Sequence, residues 1–236
     1  MQSEYLPILE EHDGKLLVRG KTERRQAHTF PPVAHATAVI VAMLPDGRII
    51  LADKTEKQRK KGRIIPSGRH VYDILGGHMT YEGIPKAEYT EGLSADTFFK
   101  CAFRELSEEL LRLDADGSTQ PFIPDRNRFL PIGLYTLKND HNREYSWAFL
   151  YLLPDFGPYT SEDTLITSSG EETIRQPVRT FTPEELTFYY KNGHQNDVII
   201  SDGIGRILSK NHGKELYNLM KENLKQDMTK GVTIMK

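Results

Sequence analysis

The sequence predicts an α/β fold: a mixed β-sheet with an N-terminal β-hairpin before it and helices after it. Three observations predict it. Residues 96–113 (DTFFKCAFRELSEELLRL) place Phe99, Ala102, Phe103, Leu106, Leu110 and Leu113 on one stripe at offsets of three and four, as in a helix that buries against a sheet. Ala36–Leu44 (ATAVIVAML) is a short, β-branched apolar run, which reads as a buried central strand. Near the end, Ile204, Ile207, Leu208, Leu216, Leu219, Met220 and Leu224 follow helical spacing, with Gly213 interrupting, so Asp202–Gln226 is one broken helix or two short ones.

The remaining elements follow in order. Tyr5–Leu9 and Lys15–Arg19 are short extended pieces around an Asp13-Gly14 hairpin turn. Pro45-Asp46-Gly47 turns the central strand back into Arg48–Asp53. Lys54–Arg69 is strongly basic and reads as an exposed, solvated loop. Val71–Leu75 is a strand ending in Gly76-Gly77-His78, and paired glycines there suit close backbone approach. Met79–Leu93 reads as one long loop, and Ser94 or Asp96 can cap the helix after it. Phe129–Leu137 and Glu144–Leu153 are two strands joined by a polar turn, Gly157–Thr173 is loop-like, and Val178–Phe181 is a short strand. Thr182-Pro183 opens a helix, threonine as cap and proline in the first turn. No repeat or linker divides the chain, so 1–236 reads as a single domain: a hairpin extension (1–30), a core (31–182) and a helical C-terminal part (183–236).

Composition narrows the function. The chain has 236 residues, 38% hydrophobic and 27% charged, as in a globular protein with a polar core. A formal net charge of −2 gives no reason to expect general nucleic-acid or membrane-surface binding. Cys101 is the sole cysteine, so no intramolecular disulfide forms, and a buried thiol in a reducing compartment is expected. The apolar run at Ala36–Leu44 is far shorter than the roughly 20 residues a membrane helix needs. The first residues lack the basic start and apolar core of a signal peptide, so a cytoplasmic location is the expectation.

The chemistry concentrates on the long helix. Glu105, Glu108 and Glu109, with Arg104 beside them, lie on the face away from the apolar stripe. Carboxylates so placed repel one another, and a hard divalent cation taking oxygen ligands relieves the repulsion. A solvated acidic face is the alternative, and spacing alone does not separate the two.

Arg104-Glu105-Leu106-Ser107-Glu108-Glu109 resembles the signature of the Nudix hydrolases, which is a glycine, five residues, a glutamate, seven residues, then Arg-Glu-apolar-x-Glu-Glu-x-Gly-apolar. The box spans 77–112, and its Arg-Glu-x-x-Glu-Glu core is complete. Asp96 stands for the glutamate before the seven-residue spacer, about 13 residues are inserted between Gly77 and Asp96, and Leu111 and Arg112 replace the closing glycine and apolar residue. Without that glycine the helix is expected to run to about Asp114. The resemblance implies a Nudix-type α/β/α sandwich and hydrolysis of a diphosphate linkage in a nucleoside diphosphate joined to another group. It implies Mg²⁺ or Mn²⁺ held by Gly77, Glu105, Glu108 and Glu109, with Arg104 orienting the carboxylates.

The order of hairpin, basic segment, His28, His35, strand and Asp-Gly turn is also similar to the Nudix branch containing isopentenyl diphosphate isomerase. That likeness implies a second metal at His28, His35, His78 and Glu144. The cysteine that such isomerases carry two residues before the third histidine is Gly76 here, so hydrolysis is the leading reading. Glu171 and Glu172 are the first candidates for a general base, Glu82 and Glu91 the second. Lys54 and Arg69 are candidates to reach an anionic substrate, while Trp147, Tyr151, Tyr189 and Tyr190 stack on a base or belong to the core. A homodimer is a family expectation, and a catalytically silent nucleotide-sensing domain is the rival class.

Overall fold

The computed structural model describes residues 4–113, 116–140, 142–154, 165–169, 172–192, 197–208 and 211–224. The chain starts with β1 (Tyr5–His12), β2 (Lys15–Glu23), α1 (Arg24–Ala27), β3 (His35–Met43), β4 (Ile49–Asp53) and α2 (Thr55–Lys60). It continues with β5 (His70–Asp73), β6 (Leu75–His78), α3 (Glu88–Glu91), α4 (Ala95–Glu109), β7 (Leu110–Leu113) and β8 (Thr119–Pro121). Then come β9 (Phe129–Asn139), β10 (Asn142–Leu152), β11 (Leu165–Ser169), β12 (Glu172–Phe181) and α5 (Pro183–Asn192). It closes with β13 (Val198–Ile200), α6 (Asp202–Leu208) and α7 (Asn211–Leu224). The protein is thus mixed α/β, with an N-terminal hairpin and C-terminal helices.

Two compact units are present. The first comprises Met1–Val39, Gly76–Glu105 and Gly133–Ala148, and the second Ile40–Leu75, Leu106–Ile132 and Phe149–Lys236. In the first unit β1 and β2 pair antiparallel from Tyr5↔Glu23 to His12↔Lys15, longer than the expected pieces. Asp13 (φ 50°) and Gly14 (φ 73°) make the turn the sequence signalled. Leu6, Leu9, Leu16, Leu17 and Val18 form the buried face.

The segment after His78 is not the long loop expected. It forms a 3₁₀ turn (Tyr81–Gly83) and α3, and it closes on the hairpin, where the Leu93 N–H donates to Leu16 O at 2.9 Å. Ser94 caps α4 by accepting from the Thr97 N–H at 3.2 Å. Glu88 fixes that cap by accepting from the Ser94 N–H (2.9 Å), the Ser94 hydroxyl (2.8 Å) and the Thr97 hydroxyl (2.8 Å). Asp96 pairs at the surface with Lys100, one turn on, at 2.8 Å.

Helix α4 departs from the expected stripe in two ways. Its buried face is Phe98, Cys101, Ala102 and Leu106, while Phe99 and Phe103 are half-buried with ring centroids 6.1 Å apart. The helix ends at Glu109 rather than Asp114, because Leu110, Leu111 and Arg112 pair with Thr167, Ile166 and Leu165 of β11. β11 is a departure from expectation, since its residues lie within 157–173, which reads as loop.

In the second unit β4 pairs antiparallel with β3 (Ala42↔Ile50), β12 (Val178↔Ala52 to Phe181↔Ile49) and β5 (Ala52↔Asp73). That explains the near-complete burial of Ile49, Ile50, Leu51 and Ala52. β13, which the sequence reading missed, pairs parallel with β5 (Val198↔His70), so the sheet is mixed. The basic stretch 54–69 is only partly the exposed loop expected. Lys54 is buried, its N–H donates to Val71 O (2.8 Å), and the hydroxyl of Thr55, which opens α2, accepts from the Val71 N–H (2.8 Å). The tail resolves as two helices, α6 and α7. Among the described residues no helix is long and apolar enough to cross a membrane.

Helix α5 carries the cap that Thr182-Pro183 signalled: the Glu185 N–H donates to the Thr182 hydroxyl (3.2 Å), and the Thr182 N–H donates to the Glu185 carboxylate (2.8 Å). Thr182→Ala is expected to cost about 1 kcal/mol, read as a lower urea midpoint with unchanged slope.

Candidate functional site

The first unit brings the expected histidines together. His28 follows α1, His35 opens β3, and His78 ends β6 beside it, since β6 pairs with β3. One ring nitrogen from each lies within 4.8 Å of the others. Among the described residues this is the one group of three or more His, Cys, Asp or Glu side chains whose ligand atoms converge in this way. The rings of His35 and His78 stack at 5.2 Å, and His28 stands edge-on to both.

His35 is 0% exposed. Its Nδ1–H donates to Val33 O at 2.8 Å, so Nε2 is the ring nitrogen left to meet a ligand. That Nε2 is buried, makes no hydrogen bond, and faces Glu144 Oε1 at 3.7 Å. Nε2 of His28 lies 3.1 Å from Nε2 of His78. Three imidazoles and one carboxylate form a nitrogen-rich set that fits a borderline transition metal rather than Mg²⁺.

The helix carboxylates behave differently. Glu105 is 8% and Glu109 7% exposed, far below what carboxylates tolerate without partners. Glu105 Oε1 accepts from Arg104 Nη2 at 2.5 Å, and the same nitrogen donates to the His78 carbonyl at 2.8 Å. Gly77 packs directly against this carboxylate, and a Cβ there would overlap all its oxygens. The Gly77 carbonyl itself lies 4.0 Å from Cys101 Sγ. In the second unit Glu109 Oε1 faces the Lys54 Nζ at 3.5 Å, both side chains being over nine-tenths buried. Glu108 is exposed. The carboxylates expected from spacing are therefore one buried ion pair with Lys54, one pair whose arginine is partly exposed, and one solvent-facing glutamate. Carboxylate oxygens are the ligand type that a hard cation such as Mg²⁺ or Mn²⁺ takes.

Other candidates are placed as follows. Lys54 faces Glu109 instead of solvent, and Arg69 is half-buried just before β5. Glu171 and the side chain of Glu172 lie outside the described residues. Glu82 is exposed and 3.7 Å from Lys21, and Glu91 is exposed at the end of α3. Tyr151 is core, wedged against Phe122 and Phe129, its hydroxyl accepting from the Asp125 N–H at 3.0 Å. Trp147 packs on Phe98 and Tyr189 on Phe181, leaving Tyr190 as the partly exposed ring.

Two residues were missed. Asp73 is half-buried near Lys54 and Glu109; desolvation pushes its carboxyl upward, against the opposing hydrogen bond from Ser201 and the Lys54 charge. Its place next to Ile74 and Gly76 was the available signal. Asn142 donates through Nδ2 to Glu144 Oε1 at 2.5 Å. Two residues before a candidate ligand on a strand is the same sheet face, which was its signal.

No family model matches the sequence, and no curated protein does. Solved structures resemble it at low identity. DR0079 from Deinococcus radiodurans is 13% identical, with a TM-score of 0.48 over 87% of this chain and 97% of that one. Tm1382, provisionally called a Nudix hydrolase, is 15% identical, with a TM-score of 0.40 over 73% of this chain and 70% of that one. The E. coli ORF135 protein is 18% identical, with a TM-score of 0.33 over 64% of this chain and 78% of that one. At that likeness the site is read from its own residues.

The two glycines before His78 are expected to respond differently to a methyl group. At Gly76 (φ 133°) a Cβ would strike the Ala38 carbonyl and Val39 Cα, so Gly76→Ala is expected to cost more than about 2 kcal/mol in urea unfolding. At Gly77 a Cβ would meet the end of the Glu105 side chain, which is held by Arg104 but is not backbone, so Gly77→Ala is expected to lose less stability than Gly76→Ala in the same unfolding.

Burial, followed by the nearby Glu105 charge, pushes the Cys101 thiol from 9.0 up to about 12. Below pH 9 folded and unfolded chains both keep the proton, so the thiol adds no pH slope. Above it the unfolded chain loses the proton first, so stability is expected to fall between pH 9 and about 12. Replacing Cys101 by Ala is expected to remove that slope, read as urea midpoints against pH.

Proposed function

We propose that this protein is a Nudix-type hydrolase that cleaves a diphosphate linkage in a nucleoside diphosphate joined to another group. The observation that carries this reading is the clamp of Arg104 on Glu105 and on the His78 carbonyl, with Gly77 leaving room for the carboxylate. It sits in a complete Arg-Glu-x-x-Glu-Glu run, and it gives Arg104 the orienting role that the resemblance implies. Glu105, Glu108 and Glu109 would hold Mg²⁺ or Mn²⁺. Bound there, the cation neutralises diphosphate oxygens and lowers the pKa of a water. Arg104 fixes the first carboxylate, and Lys54 balances Glu109 until a cation arrives. A small-molecule substrate and a homodimer belong to the same reading.

The histidine centre favours a second reading, an isopentenyl diphosphate isomerase-like enzyme. Against it, Gly76 occupies the cysteine position, and its Cβ direction is blocked by the backbone of Ala38. Cys101 is no substitute, because burial holds its thiol protonated at neutral pH.

The test is release of phosphate or a nucleoside monophosphate from a panel of dinucleotides and nucleotide sugars, with Mg²⁺ titrated. Glu108→Gln and Glu109→Gln are each expected to lower kcat at least about a hundredfold, the scale of losing one group that stabilises developing charge. Activity that survives both changes rules the mechanism out. Turnover of isopentenyl diphosphate without nucleotide cleavage supports the isomerase reading, and metal-dependent nucleotide binding without either reaction supports a sensor.

A further inference from the structure

Beside the histidine centre, Asn142 carries an unusual arrangement for a side chain near a strand start. Its Nδ2 donates at 2.5 Å to Glu144 Oε1, the same oxygen that faces His35 Nε2 at 3.7 Å. An amide nitrogen, not its oxygen, must face a carboxylate, so the orientation is settled by chemistry. The other end of that amide, Oδ1, is buried and makes no hydrogen bond. Two buried polar atoms thus stay unsatisfied within one patch of the first unit, Asn142 Oδ1 and His35 Nε2. Burying a polar atom that nothing meets is unfavourable. A cation with its bound water relieves both, since a lone pair on nitrogen and one on oxygen are each donors to a metal or acceptors from its water.

We propose that Asn142 is a built-in member of the histidine metal centre, a positioning residue that holds Glu144 toward His35 and sets which metal the centre accepts. The proposal rests on the metal reading of His28, His35, His78 and Glu144. With asparagine at 142 the patch offers three imidazoles, one carboxylate and one uncharged amide, so a single anionic ligand in all. That set is too nitrogen-rich and too weakly charged to strip the tightly held water from Mg²⁺, whereas Mn²⁺, Fe²⁺, Co²⁺ or Zn²⁺ accepts it. An aspartate at 142 would add a second negative oxygen and repel Glu144 instead of holding it.

The probe is Mn²⁺ added to the purified full-length protein, with affinity from calorimetry and nitrogen ligation from pulsed electron paramagnetic resonance. Neither readout depends on turnover, and nitrogen coupling separates this centre from the glutamates of α4. The unaltered protein is expected to bind one Mn²⁺ with nitrogen coupling that millimolar Mg²⁺ does not remove. Asn142→Ala is expected to weaken that ion about 10–100-fold, the usual loss when a partner of a metal ligand is removed. Asn142→Asp is expected to keep the nitrogen coupling but let Mg²⁺ compete. Thermal melts check folding, and Asn142→Ser serves if the alanine variant does not fold. If His35→Ala abolishes the nitrogen coupling but the Asn142 variants match the unaltered protein in affinity and Mg²⁺ competition, the role of Asn142 is overturned while the centre stands. If nitrogen coupling is absent from the unaltered protein, the centre itself is overturned, and Asn142 with it.

Discussion

One guanidinium sets much of the geometry in the first unit. Arg104 spends a single nitrogen on two acceptors, the Glu105 carboxylate beside it in the helix and the main-chain carbonyl of His78. Buried charge survives in a protein only with a partner and a hydrogen bond. The Glu105 carboxylate has both, and the partner also grips the strand that carries His78. The strand approaches that closely because positions 76 and 77 have no side chain: one would otherwise meet the Ala38 backbone, the other the Glu105 oxygens. His78 is thereby delivered next to His28 and His35. Remove the arginine and both the carboxylate and the third histidine lose their fixed point.

The second unit handles a similar problem with different residues. Lys54, Glu109 and Asp73 share a buried region, and the lysine is the cation that makes two nearby carboxylates tolerable. The Lys54–Glu109 pair is not tight in the way of a bidentate arginine fork: the ammonium stands 3.5 Å from one carboxylate oxygen.

Parts of this were legible in the sequence because they depend on local rules. The Asp13-Gly14 turn, the Ser94 and Thr182 caps and the β-branched run of β3 each state their own geometry. The three histidines came from the family resemblance rather than from a local rule, and they do converge. What failed depended on distant partners. The helix was expected to continue past Glu109 because Leu110–Leu113 fits its stripe, yet β11 offers those residues a ladder, and nothing near Leu110 announces it. The stripe itself was rotated by one position, since Phe98 and Cys101 bury as well as Phe99 and Phe103 would. Lys54 was read as solvated because its neighbours are cations, whereas its burial is set by Glu109, fifty-five residues later. Asp73 and Asn142 carried no motif and were visible only once their neighbours were in place.

The stretch between Gly77 and Asp96 rests on the hairpin as well as on its own contacts. Leu93 is bonded to Leu16, and the Lys21 ammonium stands over the rings of Tyr5 and Tyr81 at 4.4 and 5.4 Å. Tyr81 in turn meets Tyr89 at 5.2 Å. The two segments are more than fifty residues apart in the chain but behave as one part. Neither keeps its packing alone: without the hairpin, Leu93 and Tyr81 lose the partners they rest on, and without this stretch Leu16 and Lys21 lose theirs.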